Sequence, residues 1–169
     1  MKIIYPDKEV LTSEIVLNNP KISKIFLAGT IDNGNSKDWQ KELIDELENV
    51  ESECNIQFEL FNPRREKWDK NSSDKIVEEQ IKWEQNHLDE ADLIIMVFSD
   101  DSQSPITLLE LGLYAESGKL IVFCTDKFWR YNNVHLTCEK YLIPLVNSTK
   151  TKNIIKEIKN IYNKQNGEV

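Results

Sequence analysis

Two glutamates stand where helical spacing predicts apolar contact. Across residues 74–91, Val77, Ile81, Leu88 and Ala91 recur at helical intervals, and Glu84 falls on their stripe between Ile81 and Leu88. Across residues 105–117 the stripe is Ile106, Leu109, Leu113 and Tyr114, with Glu110 inside it. A carboxylate turned toward a core costs several kcal/mol unless it is paired or protonated. Glu84 has a side chain long enough to snorkel back to solvent. Glu110 has less freedom, because Gly112 permits close backbone approach and Ser104-Pro105-Ile106-Thr107 makes a deliberate helix start. Two such acids on helices flanking one strand are expected to converge on a pocket at the sheet edge. A buried glutamate beside a sugar ring can attack an anomeric carbon while a second acid protonates the leaving group, the pairing that retaining glycosyl transfer uses. Where a purine or pyrimidine departs, the proton must reach a ring nitrogen, from the second carboxyl group or a bound water.

The elements that must position these acids alternate along the chain. An apolar run at Ile25-Phe26-Leu27-Ala28 ends at Gly29-Thr30, and a helix with Ser36 as N-cap runs to about Leu47. Phe58 to Phe61 is a short strand stopped by Asn62-Pro63. The helix bearing Glu84 spans about Asp74 to Ala91, and Leu93 to Phe98 is a continuous apolar strand. The helix bearing Glu110 spans Pro105 to Ser117 with Gly118 at its C′ position. Leu120 to Cys124 forms a further strand and Asn153 to Tyr162 a closing helix. Strands apolar throughout, alternating with helices, predict an α/β fold with a parallel sheet covered on both faces. Residues 1–22 read as a small N-terminal β appendage and residues 23–169 as the α/β domain. Ligands of such sheets sit outside the carboxyl ends of the strands, here residues 29–35, 62–67, 99–107 and 125–133.

Composition narrows the function. The 169 residues carry a net charge of −8, which opposes a nucleic-acid polymer or an anionic membrane surface and leaves a small-molecule ligand as the expected partner. No apolar run approaches the roughly 18 residues of a membrane span. The opening segment turns charged after Pro6 and does not read as a signal peptide. Three cysteines, Cys54, Cys124 and Cys138, have no CxxC spacing and give no disulfide framework, so a reducing, cytoplasmic setting is expected. His87 and His135 have no ligand cluster around them, so neither a metal nor another cofactor is expected. His87 reads as a surface or capping residue.

At the strand ends, Gly29-Thr30-Ile31-Asp32-Asn33-Gly34 lacks the spacing of a dinucleotide or triphosphate loop and reads as one wall of the pocket, with Asp32 as a sugar or base contact. The alternative is a plain turn. Arg64-Arg65 suits bidentate phosphate binding, although surface salt bridging to nearby acids is the commoner use. Trp129, in a polar loop, is placed to stack on a base better than Trp83, while Trp39 and Trp68 read as packing residues. The strand ends lack the clustered acids and lysine of a phosphoacceptor switch.

Several of these segments together resemble the nucleoside 2-deoxyribosyltransferase family and its broader related group. They are Phe26-Leu27-Ala28-Gly29-Thr30, Phe61-Asn62-Pro63-Arg64-Arg65, Gln80-Ile81-Lys82-Trp83-Glu84, Ala91-Asp92-Leu93-Ile94 and above all Leu108-Leu109-Glu110-Leu111-Gly112. Ser117-Gly118-Lys119 and Phe128-Trp129-Arg130-Tyr131-Asn132-Asn133-Val134 extend the likeness. The resemblance implies a flavodoxin-like fold and exchange of the base on a 2′-deoxyribonucleoside through a covalent deoxyribosyl-enzyme. It implies Glu110 as nucleophile and Glu84 as the acid near the departing base. It also implies that a neighbouring subunit offers Asn132 or Asn133 to the sugar 5′-hydroxyl, and hence a homo-oligomer with a shared active site. Two positions depart from the pattern: Phe26 stands where the family has a tyrosine that orients the nucleophile, and Ser104 stands where it has a base-contacting aspartate. A nucleoside or nucleotide N-glycoside hydrolase and a non-catalytic nucleotide-binding module are the alternative outcomes.

Overall fold

The computed structural model describes residues 1–12, 21–31, 37–65 and 73–165, with side chains to residue 163. Its strands are β1 (Lys2–Ile4), β2 (Glu9–Leu11), β3 (Lys21–Gly29), β4 (Ile56–Phe61), β5 (Leu93–Phe98), β6 (Leu120–Cys124) and β7 (Leu145–Val146). The helices are α1 (Trp39–Cys54), α2 (Asp74–Glu90), α3 (Pro105–Tyr114), α4 (Tyr131–Tyr141) and α5 (Thr151–Gln165). One sheet runs in the order β2-β1-β4-β3-β5-β6-β7, and every neighbouring pair is parallel except β1 with β2. From β3 onward this is the 2-1-3-4-5 order of flavodoxin-like folds. The chain passes from β3 to β4 on one side and then returns to place β5 on the other. The carboxyl ends of β3 and β5 therefore border the crevice where the strand order reverses, the usual ligand position in such sheets.

Alternation along the buried strands sends side chains to two cores. Ile25, Leu27, Ile95 and Val97 pack under α1 and α5 with Leu43, Leu47, Ile154 and Ile158. Phe26, Ala28, Met96 and Phe98 pack on the opposite face, where α2, α3 and α4 contribute Leu88, Leu111 and Val134. Glu84 on α2 and Glu110 on α3 thus belong to helices on one side of the sheet. On the other side, α1 buries Glu51, whose carboxylate pairs with the Met1 amino group at 3.0 Å and accepts the Phe58 N–H at 2.7 Å.

Several elements differ from the sequence expectation. The residue capping α1 is Asp38, which accepts the Lys41 N–H at 3.0 Å, and Ser36 lies outside the described residues. α1 also continues past Leu47 to Cys54 and stops at Asn55, which takes a left-handed conformation at φ 48°. α3 ends at Tyr114, so Gly118, at φ 71°, serves the turn into β6 rather than the helix end. α4 was not expected. Its first turn has no side-chain cap, and Val134 and Cys138 supply its buried face. Residues 1–12, by contrast, form the small β segment read at the N-terminus and join the edge of the same sheet: β1 pairs in parallel with β4, and Ile3 joins the core around Ile25. Among the described residues, no helix is long and apolar enough to cross a membrane.

Candidate active site

Glu110 is 9% exposed on the inner face of α3, beside Thr107 and Leu111. The stripe that sequence spacing assigned to the core is the outer one. Ile106, Leu109 and Leu113 are 59%, 58% and 63% exposed, and the buried face runs through Thr107, Glu110 and Leu111. A short, strongly apolar helix offers hydrophobic residues to both faces, so periodicity did not decide which face turned inward. The same correction applies to α2, where Val77 and Ile81 are exposed and burial begins at Gln80 and Leu88.

Glu84 and Glu110 line one cavity of about 390 Å³ with Gly29, Thr30, Arg65, Gln80, Ser104 and Thr107. That volume lies in the range of small-ligand sites. Phe26 and Ala28 form its apolar floor, and Val77, Ile81 and Ile106 stand at its rim. Gly29 is required at the end of β3: a Cβ there would lie 2.5 Å from the Val97 carbonyl oxygen, at φ 149°. This close approach draws the end of β3 onto β5 and sets Thr30 beside the start of α3.

A hydroxyl cluster holds that start. Thr30 Oγ1 and Ser104 Oγ are 2.6 Å apart, and Ser102 Oγ is 2.7 Å from Ser104 Oγ while accepting the Ser104 N–H at 3.0 Å. Ser104 has φ 44°, a left-handed conformation uncommon outside glycine and held here by these bonds. The helix entering at Pro105 thereby takes a fixed direction and carries Glu110 into the cavity.

The two carboxyl groups have different surroundings. Burial pushes the Glu110 carboxyl up to about 8, the nearby charge of Glu84 adds to this, and no hydrogen bond from a described residue offsets it. Burial also raises Glu84, against the lowering effects of a hydrogen bond from Gln80 and the positive charge of Arg65. Gln80 Nε2 donates to Glu84 Oε1 at 2.7 Å and to the Pro63 carbonyl at 2.9 Å, while its Oε1 accepts Arg65 Nε–H at 2.6 Å. Near neutral pH Glu110 therefore holds a proton. Glu51 on α1 shows how the chain satisfies a buried carboxylate when packing alone is served, with two direct partners. Glu110 has no such arrangement.

Of the residues singled out in the sequence, Gly29, Thr30, Glu84, Ser104 and Glu110 meet at this cavity. Asp32 lies outside the described residues. Arg64 does not line the cavity: its Nε faces Asp38 at 3.4 Å, and its terminal nitrogen donates to the Lys37 carbonyl at 3.3 Å. The adjacent Arg65 lines it instead. Trp129 is exposed, donates to the Gln103 carbonyl at 3.1 Å and lies under Arg130. Asn132 and Asn133 are exposed in the first turn of α4 and do not line the cavity of their own chain. His87 is partly exposed in the last turn of α2, where it stacks on Trp83 and meets Phe61 edge-on, with ring centroids 4.1 and 4.5 Å away. Sequence reasoning offered Arg65 only as one of the Arg64-Arg65 pair, and it missed Gln80 as a site residue. The Gln80–Glu84 spacing of four was the available signal.

A larger depression, about 550 Å³, opens at the amino ends of β3, β5 and β6. Ser23 and Tyr162, which line it, satisfy each other at 2.5 Å, and its two acids, Asp92 and Glu157, are not buried. The three cysteines are buried, and burial pushes the Cys124 thiol up to about 12, so it is no thiolate nucleophile at neutral pH. Among the described residues, no group of three or more His, Cys, Asp or Glu side chains is placed to hold a metal ion.

The fold and cavity define a flavodoxin-like α/β protein with an acid-lined cavity at the switch between β3 and β5. Residues 22–128 match the family model described as nucleoside 2-deoxyribosyltransferase like, and the chain belongs to that family. Comparison with curated proteins gives no match. Among solved structures, a conserved protein from Enterococcus faecalis V583 superposes with a TM-score of 0.56 at 15% identity, covering 82% of this chain and 98% of that one. A 2-deoxyribosyltransferase from Bacillus psychrosaccharolyticus aligns at 22% identity over 60% of this chain and 72% of its own, with a TM-score of 0.44.

Proposed function

We propose that the protein cleaves the N-glycosidic bond of a 2′-deoxyribonucleoside or nucleotide and transfers the sugar to a second base through a covalent ester on Glu110. The observation that carries this reading is the meeting of Glu84 and Glu110, from separate helices, in one cavity at the switch point of the sheet. Burial and the charge of Glu84 keep a proton on Glu110 near neutral pH, and that proton is the one the pair passes on. In the first step the Glu110 oxygen bonds to C1′, the bond from C1′ to the base nitrogen breaks, and the departing base leaves with the pair's proton. Glu84 relays that proton, being coupled to Glu110 and held by Gln80. In the second step the nitrogen of an incoming base attacks C1′, the ester breaks, and the proton returns to the pair. Gly29, Thr30 and Ser104 shape the sugar side of the site.

Water as acceptor would make the same machinery an N-glycoside hydrolase. The exposed rim at Ile81 and Ile106 favours that variant, because no described residue closes the mouth. A second copy of the chain would close it. The outward Ile106, Leu109 and Leu113 form an apolar face beside the cavity, and a homo-oligomer packed on it could bring the partner's Asn132 or Asn133 to the sugar.

The test is chromatographic. Purified protein is incubated with 2′-deoxyribonucleosides and their 5′-monophosphates, with and without a second free base, beside Glu110→Gln. A new nucleoside appearing only with the second base establishes transfer. Free base without exchange establishes hydrolysis. No conversion, with ligand binding unchanged in Glu110→Gln, identifies a binding module and overturns the enzymatic reading.

A further inference from the structure

Arg65 carries a charge that no described residue balances by an ion pair. Its side chain lines the cavity with Glu84 and Glu110, yet its one hydrogen bond runs from Nε to Gln80 Oε1 at 2.6 Å. Gln80 is buried and is itself fixed by the Pro63 carbonyl and by Glu84. The amide therefore stands between guanidinium and carboxylate and keeps them from joining directly. It also sets the plane of the guanidinium while leaving both terminal nitrogens, with four N–H donors, uncommitted. In a chain with 29 acidic and 21 basic residues, an arginine beside two glutamates and bonded to neither is a specific arrangement.

Building on the nucleoside-processing reading above, we propose that the terminal nitrogens of Arg65 form an anion subsite of this cavity and that the preferred substrate is a nucleoside 5′-monophosphate. A planar guanidinium presents two parallel N–H donors that match two oxygens of a phosphate, and the contact compensates its charge as well as its donors. The edge of a neutral base would satisfy the donors but bring no charge to meet the guanidinium.

The experiment measures binding by calorimetry on the full chain carrying Glu110→Gln, which removes the nucleophile and prevents turnover. Each 2′-deoxyribonucleoside is paired with its own 5′-monophosphate, and inorganic phosphate is added as a competitor. The monophosphate is expected to bind at least about 10-fold tighter than its nucleoside, as one charge-assisted contact provides. Inorganic phosphate should weaken the monophosphate and not the nucleoside. Adding Arg65→Ala should bring the affinity ratio to about one, and Arg65→Lys should keep part of it. Equal affinities within each pair overturn the proposal, as does an Arg65→Ala effect of equal size on both members, which would make Arg65 a reader of the base. Nucleosides bound or turned over without any phosphate preference sink this proposal and leave the functional reading standing. No binding by either class, with no turnover by the parent protein, sinks both. Should Arg65→Ala fail to fold, the phosphate competition in the Glu110→Gln protein decides alone.

Discussion

The negative charge of Glu84 on α2 acts on Glu110 on α3 and adds to burial in holding the Glu110 proton to about 8. The two carboxyl groups titrate as a pair, so their proton count sets the working pH range. The mechanism needs one proton and one carboxylate between them. The profile of kcat/KM against pH is therefore expected to be a bell, with its alkaline limb near pH 8 as the pair loses its last proton. Its acid limb appears where Glu84 also protonates. A rate that keeps rising beyond pH 9 would show that the shared proton takes no part.

Gln80 favours the ionised form of Glu84 through its 2.7 Å hydrogen bond, so replacing it should raise that carboxyl further. In Gln80→Leu the acid limb is expected to move to higher pH and kcat/KM to fall about 10-fold at its optimum, the scale of a mispositioned general acid. An unmoved acid limb with a lower rate throughout would reduce Gln80 to a packing residue.

Much of this arrangement was legible in the sequence, for identifiable reasons. Apolar runs such as Leu93–Phe98 have one physical solution, a strand buried on both faces, and the order of such runs gave the parallel sheet. Glu110 stood out because a charged residue among Leu108, Leu109 and Leu111 demands an explanation. The helix face was not legible, because α3 carries apolar residues all round and its outer stripe of Ile106, Leu109 and Leu113 imitates a core stripe. The choice between Arg64 and Arg65 turned on the local path after Pro63, which composition does not encode. Gln80 escaped notice because an amide becomes informative only once its three partners are seen.

Gly29→Ala is expected to destabilise the protein by about 2–4 kcal/mol, the scale of a backbone clash at a strained position. The new Cβ would meet the Val97 carbonyl oxygen at 2.5 Å and Trp39 at 3.1 Å, both within packed structure. Urea unfolding of the variant should show a lower midpoint with an unchanged slope. A midpoint within error of the parent would mean that β3 and β5 separate there without cost.

The exposed stripe on α3 makes a separate prediction about assembly. Leu109 lies at its centre, one residue from Glu110, and a charge there would be desolvated by any partner packed on that face. Leu109→Glu is expected to lower the sedimentation coefficient to that of a 19.8 kDa monomer and to reduce turnover with it. If the parent protein already sediments as an active monomer, the shared active site is wrong.

Glu110→Gln provides a stability test that needs no substrate. The folded-state value of about 8 lies above the ordinary carboxyl value of 4.5, so the folded protein binds the extra proton between those limits. Stability then falls as pH rises through that window, because the folded state binds more protons there than the unfolded one. A glutamine keeps the shape and removes the titration. The variant should match the parent below pH 4.5, gain on it steadily up to pH 8 and hold a constant advantage above. At pH 7 the expected gain is on the order of 3 kcal/mol. Unfolding midpoints measured at pH 5, 7 and 9 give the comparison. A stability difference that does not change with pH would place the Glu110 carboxyl in contact with solvent or a hidden partner, and the shared-proton mechanism would lose its basis.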